Sequence, residues 1–198
     1  MRAVNLSGVI PPLITPLHAD ESIDEASLRR LIAHVIDGGV NGVFVLGSSG
    51  EGPLLSPSQR RQVVDIAGDA IRGRVPLLVG VADCSVRRVR ENMAALLTPH
   101  VDAFVATLPF YGACDDPATQ VRFYRELADA SPRPLVIYNI PSAVHAGIEP
   151  ETIARLASHP NIVGVKDPIK DIHCGMRVKL RWEDQGEGEI ALPMFEPA

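Results

Sequence analysis

Pro134-Leu135-Val136-Ile137-Tyr138 and Ile162-Val163-Gly164-Val165-Lys166 are two short apolar runs, each ending in a side chain able to carry chemistry. A helical stretch opening near Pro150 lies between them. Runs of this length, rich in Val and Ile and lacking strict polar alternation, read as parallel strands covered on both faces. A strand, a crossover helix and a second parallel strand make one β-α-β unit of roughly 30 residues.

The same unit recurs upstream. Strands are expected at Gly8-Val9-Ile10, Gly42 to Leu46, Val75 to Val79 and Val101 to Val105. From the second strand onward the starts fall near 42, 75, 101, 134 and 162, which are 26 to 33 residues apart. Amphipathic helices fill the gaps. Leu28, Leu31, Ile32, Val35 and Ile36 form one stripe, stopped by Gly38-Gly39. Ser56-Pro57-Ser58-Gln59 reads as an N-cap, a proline at the first helical position and a closing Gln. Val86, Val89, Met93 and Leu96-Leu97 mark a third helix, and two more begin near Pro117 and Pro150.

Neither a Gly-x-Gly-x-x-Gly fingerprint after the first strand nor a Gly-x-x-x-x-Gly-Lys-Ser/Thr loop occurs. The expected fold class is therefore α/β of the (β/α)8 TIM-barrel type, with about six recognisable β/α units. A closed barrel takes eight units and about 250 residues, so an incomplete or altered barrel is expected. Residues 1–170 are read as the barrel-like domain and 171–198 as a C-terminal tail. Within that tail Arg177 to Trp182 alternates like an antiparallel strand, for which Glu189 to Leu192 is the expected hairpin partner; a disordered tail is the other reading.

With 198 residues, 46% hydrophobic and 22% charged, the chain has the composition of a globular protein able to bury a core. A formal charge of −5 supplies no basic field for a phosphate backbone, and no nucleic-acid partner is expected. No apolar stretch reaches the roughly 18 residues needed to span a bilayer. The start, Met1 to Leu6, lacks the apolar core of a signal peptide, so the expected compartment is the cytoplasm. Cys84, Cys114 and Cys174 are odd in number and far apart, which suggests unpaired thiols rather than a disulfide frame or a zinc cluster.

In a barrel the reactive groups sit where strands end. The ends here carry Thr15-Pro16, Gly47-Ser48-Ser49-Gly50-Glu51-Gly52, Leu108-Pro109-Phe110-Tyr111, Tyr138-Asn139-Ile140-Pro141 and Lys166-Asp167. Lys166 is one of three lysines against nineteen Lys and Arg together. A lysine amine in water is almost fully protonated at neutral pH. Apolar surroundings destabilise that cation and free a lone pair able to attack a ketone. The resulting iminium draws electrons from the neighbouring carbon, and a phenol within reach can shuttle the proton. Taken alone, Lys166 also reads as a strand-end lysine snorkelling to solvent, and Tyr138 as a buried aromatic with a satisfied hydroxyl. The Gly47 to Gly52 segment reads either as a tight turn or as a cradle of amides and hydroxyls for a carboxylate.

These motifs, together with Gly8-Val9-Ile10-Pro11 and in the order in which they occur, resemble the dihydrodipicolinate synthase and N-acetylneuraminate lyase family. Its members are class I, pyruvate-handling aldolases on a (β/α)8 barrel. The resemblance runs from about Leu6 to Asp167, and the chain is expected to be truncated or divergent after about residue 170. It implies that Lys166 forms an imine with pyruvate and that Tyr138 relays protons. It further implies that Ser48 stands where the family has a threonine linking this tyrosine to a second one, matched by Tyr111, which in many members reaches a neighbouring subunit's site. Gly47, Ser48 and Ser49 would hold the pyruvate carboxylate. Serine keeps the hydroxyl but loses the methyl that restricts its rotamers.

Two departures bear on function. Dihydrodipicolinate synthases usually carry an arginine where this chain has Ala143, and alanine offers no bidentate fork for an acidic second substrate. His145 is a possible contact for another substrate or an exposed loop residue. The family usually continues Asp-Ser-Ser-Gly after the lysine, whereas here the sequence is Asp167-Pro168-Ile169. The expected function is a Schiff-base-forming aldolase or lyase acting on pyruvate or a related 2-oxo acid. It needs no cofactor or metal, its aldehyde co-substrate is open, and a homo-oligomer is expected. The alternatives are a 4-hydroxy-tetrahydrodipicolinate synthase, or an inactive truncated homologue with a binding or assembly role.

Overall fold

The computed structural model describes residues 4, 6–168, 178–182 and 193–197, the last two stretches as backbone only. Contacts divide the chain into Met1–Lys166 and Asp167–Ala198. Within the first unit, five parallel strands stand in the order in which the chain makes them: β1 (Val43–Val45), β2 (Leu77–Gly80), β3 (Val101–Thr107), β4 (Leu135–Tyr138) and β5 (Ile162–Lys166). A doubly wound sheet reverses direction partway through its strand order; this one does not. It is a wall of consecutive β/α units, a partial (β/α)8-like barrel.

Six helices accompany the strands among the described residues: α1 (Glu25–Asp37), α2 (Pro57–Ile71), α3 (Val86–Leu96), α4 (Pro117–Ala130), α5 (Pro141–Val144) and α6 (Pro150–Ala157). Their starts follow from the local chemistry. Asp24, Ser56, Ser85 and Asp116 each accept a backbone N–H from three residues on, and Ser56 and Gln59 form the reciprocal capping box. Gly38 caps α1, and Gly39 takes the left-handed φ of +85° that turns the chain away.

The strands bury both faces. Outward, Val43, Val45, Leu77, Phe104, Ala106, Leu135 and Ile137 pack with Ile32, Val63, Met93, Leu127 and Leu156 of the helices. Inward, Phe44, Leu78, Ala103, Val105, Val136 and Tyr138 form a second, smaller cluster. At β5 the pattern changes: Val163 and Val165 are 41% and 39% exposed, since no further strand pairs with this edge among the described residues.

The first of the expected strands, Gly8-Val9-Ile10, is instead an extended lead-in. Asn41 N–H donates to Val9 O, Phe44 N–H to Pro11 O and Leu13 N–H to Phe44 O, but only one parallel bridge forms, Pro12 to Phe44. Pro11 and Pro12 have no N–H to give, so the ladder cannot run on. In the second unit, β6 (Val178–Trp182) pairs antiparallel with β7 (Pro193–Pro197), not with Glu189 to Leu192, which lie outside the described residues. The observed register sets Leu180 opposite Phe195 and Lys179 opposite Glu196. Cys174 and the rest of the tail also lie outside the described residues.

Candidate active site

The C-terminal ends of β1, β3, β4 and β5 bring the expected groups together. Thr107, Tyr138 and Lys166 are register partners across three adjacent strands. Side chains in register on parallel strands point to the same face, here the inner one. The Lys166 Nζ lies 3.5 Å from the centroid of the Tyr138 ring, over its face. Tyr138 is 5% exposed, and its ring meets Phe44 edge-on with centroids 6.4 Å apart. Its hydroxyl is 3.0 Å from Ser48 Oγ, ninety residues earlier in the chain.

Ser48 is brought there by an unusual turn. Leu46, directly after β1, is buried yet left-handed at φ 59°, and Glu51 is left-handed at φ 54°. Both are sparsely populated backbone states for such residues. The surroundings fix them. Gly80 of β2 and Gly52 both press against the Leu46 carbonyl, where any Cβ would overlap the oxygen. Thr15, 7% exposed, donates its hydroxyl to Gly50 O at 2.7 Å. Gly47 to Gly52 is therefore a braced loop rather than a simple hairpin turn, with Ser48 and Ser49 both exposed on it.

Further residues secure the walls. Asn139 N–H donates to Lys166 O at 2.9 Å, and Asn139 Oδ1 accepts Ile148 N–H at 3.1 Å, tying β4 to β5 and to the turn after α5. Arg60 of α2 donates to Leu55 O and Pro53 O, holding the 3-10 turn Gly52–Leu54. Asp83, beyond the end of β2, is 5% exposed. Burial pushes its carboxyl up, but the Arg88 guanidinium, the Cys84 N–H and the Asn92 amide outweigh this and hold it below the usual carboxylate range. Thr15, Asn139, Arg60 and Asp83 carry no local signature of these roles; of the four, only Thr15 and Asn139 stood in motifs at strand ends.

A cavity of about 340 Å³ opens beside Ser48 and Tyr138, bounded by Phe44, Leu46, Phe110 and Val144. Ala143 also lines it, whereas His145, the exposed left-handed residue that ends α5, does not. Tyr111 is 87% exposed and stands apart from Ser48 and Tyr138 within this chain. Among the described residues no three His, Cys, Asp or Glu side chains group as metal ligands, and no helix is long and apolar enough to cross a membrane.

An amine stacked on a phenol that also meets a hydroxyl, the phenol and the hydroxyl lining an apolar cavity, is a set suited to imine formation and proton transfer. An uncharacterized DapA-like lyase of Halobacterium salinarum is 39% identical over 169 residues, covering 85% of this chain and 55% of its own. YagE, a prophage protein of E. coli K12 solved in complex with pyruvate, superposes with a TM-score of 0.79 at 32% identity, over 84% of this chain and 56% of its own. A dihydrodipicolinate synthase of Acinetobacter baumannii, also complexed with pyruvate, gives 0.80 at 30% identity, over 84% and 57%. The chain thus spans a little over half the length of these relatives. The family model for dihydrodipicolinate synthetases matches residues 5–185, and the chain belongs to the dihydrodipicolinate synthetase family.

Proposed function

We propose that the chain carries the Schiff-base site of a class I aldolase or lyase acting on pyruvate or a related 2-oxo acid. The Lys166 amine adds to the keto carbon, and loss of water leaves an iminium. In the cleavage direction the hydroxyl of a 4-hydroxy-2-oxo acid gives its proton to Tyr138, the C3–C4 bond breaks, and the electron pair moves into the enamine. Aldehyde departs; protonation of C3 and hydrolysis then release pyruvate and the free amine. Ser48 holds the Tyr138 hydroxyl in place, and Gly47, Ser48 and Ser49 supply amides and hydroxyls for the carboxylate. Tyr111, fully available at the surface, would serve a neighbouring copy in a homo-oligomer.

The observation that carries this reading is the Lys166 amine stacked on Tyr138 while the same tyrosine bonds Ser48. Pyruvate bound in the two related structures supports a 2-oxo acid as the substrate class. Incubation with pyruvate and borohydride, followed by peptide mass analysis, should find one reduced adduct, on Lys166. A folded, monodisperse sample with no adduct would refute it.

A second reading, a catalytically inactive relative with a binding or assembly role, is favoured by one feature. Val163 and Val165 leave the β5 edge partly open. The same borohydride experiment separates the two.

A further inference from the structure

The cavity beside Tyr138 has a composition that the imine chemistry alone does not require. Its outer wall is Leu46, Leu54, Phe110, Ile140, Ala143 and Val144. No Arg, Lys or His is among the described residues that line it. The one charged lining side chain is Glu51, which makes no ion pair or side-chain hydrogen bond with another described residue. The loop's basic side chain, His145, lies outside the wall.

We propose that the second substrate of this site is an uncharged aldehyde bearing an apolar substituent, in preference to an aldehyde bearing a carboxylate. This rests on the imine reading above. In the condensing direction the enamine on Lys166 attacks the aldehyde carbon through the C3 of pyruvate. A C–C bond forms, the aldehyde oxygen takes a proton from Tyr138, and water hydrolyses the imine to release a 4-hydroxy-2-oxo acid. Tyr138, the proton donor, lines the cavity and carries the Lys166 amine over its ring, so the cavity is the room that receives the aldehyde's substituent. An alkyl group there replaces water against Leu54, Phe110 and Val144, which is favourable. A carboxylate there would lose its hydration with no cation among the described lining residues to receive it, and would face Glu51 besides. Ala143 lines this cavity with a one-carbon side chain, so a cation introduced there would face the substituent.

Butanal and succinic semialdehyde share a four-carbon backbone and differ in the terminal group. The purified full chain, first shown to form the reduced pyruvate adduct, is given pyruvate with each aldehyde, and the 4-hydroxy-2-oxo product is followed by mass spectrometry. We expect kcat/KM for butanal to exceed that for succinic semialdehyde by at least about tenfold, the scale on which an unpaired polar group in such a wall discriminates. Ala143→Arg should shift that ratio by about tenfold or more towards the acid. The wild-type ratio decides the matter by itself should the variant fold poorly. An adduct followed by equal or faster use of succinic semialdehyde, or by use of neither aldehyde, overturns the substrate assignment alone. Absence of the adduct overturns the imine reading and this assignment with it.

Discussion

Tyr138 and Lys166 face each other in register on neighbouring parallel strands, with the amine 3.5 Å from the centre of the ring. Asn139, the next residue, locks that register by donating its N–H to the Lys166 carbonyl. The two side chains are thus set by backbone pairing rather than by a flexible loop, and such placement lowers the entropy that a reaction between bound groups must overcome.

On the proposed chemistry the pair separates nucleophile from proton relay. Lys166→Arg keeps a cation over the ring, but its delocalised guanidinium stays protonated and cannot form an imine. No borohydride adduct should appear. Tyr138→Phe keeps the ring against Phe44 and the amine while removing the hydroxyl. The adduct should still form, with kcat for aldol cleavage or condensation falling by about 10²- to 10⁴-fold. Adduct yield and turnover measured on both variants check this; an adduct on Arg-substituted protein would place the nucleophile elsewhere.

On the proposed chemistry Ser48 positions Tyr138 besides helping to hold the carboxylate, so loss of its hydroxyl should lower kcat and leave the fold intact. Ser48→Ala removes the partner of a hydroxyl bonded at 3.0 Å. A net hydrogen bond of about 1 kcal/mol corresponds to a loss of roughly fivefold in kcat. Ser48→Thr should restore activity to at least the wild-type level, since it keeps the oxygen and narrows the rotamers. Steady-state kinetics on the two variants distinguish them, and equal losses would argue that packing, not the hydroxyl, is at stake.

Much of the architecture was written in local patterns. The run Ile162 to Lys166 is a strand over those same residues, and the Ser56-to-Gln59 box forms as its spacing requires. Continuous Val-rich runs and 3-4 apolar stripes are short-range signals, so five strands and the longer helices could be read directly. Gly8-Val9-Ile10 misled because its apolarity matches a strand while Pro11 and Pro12 remove the donors a ladder needs. The short α5 has four residues and no periodicity to betray it. At the site, Ser48, Tyr138 and Lys166 were legible as strand-end groups. Thr15 and Asn139 were visible only as neighbours, because their partners, Gly50 and Lys166, lie 35 and 27 residues away and are backbone carbonyls of no particular sequence. The left-handed Leu46 had no signature at all, since leucine neither favours nor announces that conformation.

Thr15 provides a test of the braced loop. Thr15→Val is close in shape but leaves the Gly50 carbonyl without its donor in a buried setting. Destabilisation of about 1–3 kcal/mol is expected, read from urea unfolding, together with slower adduct formation as the Ser48 loop loosens. Unchanged stability and unchanged trapping would mean that Gly52 and Gly80 alone hold Leu46 in place.

Asp83 gives the fold a defined response to acid. Burial raises its carboxyl, yet the bonds from Arg88, Cys84 N–H and Asn92 hold it below the ordinary value. The unfolded chain therefore binds this proton first as pH falls, through its pKa near 3.9. Below that point protons pull towards the unfolded state, and the stabilisation, complete above it, drains away as pH drops through the lower folded value. Asp83→Asn lacks this titration. It should be less stable than wild type at pH 7, with the gap closing as pH falls below about 4. The helix caps Asp24 and Asp116, and Asp20, which accepts from Ser22, are also lowered by their hydrogen bonds, but they titrate alike in both proteins and cancel in the comparison. Urea midpoints taken across that range test the assignment: a gap that stays constant down to the acid end would show that the Asp83 cluster holds α3 by packing rather than by charge.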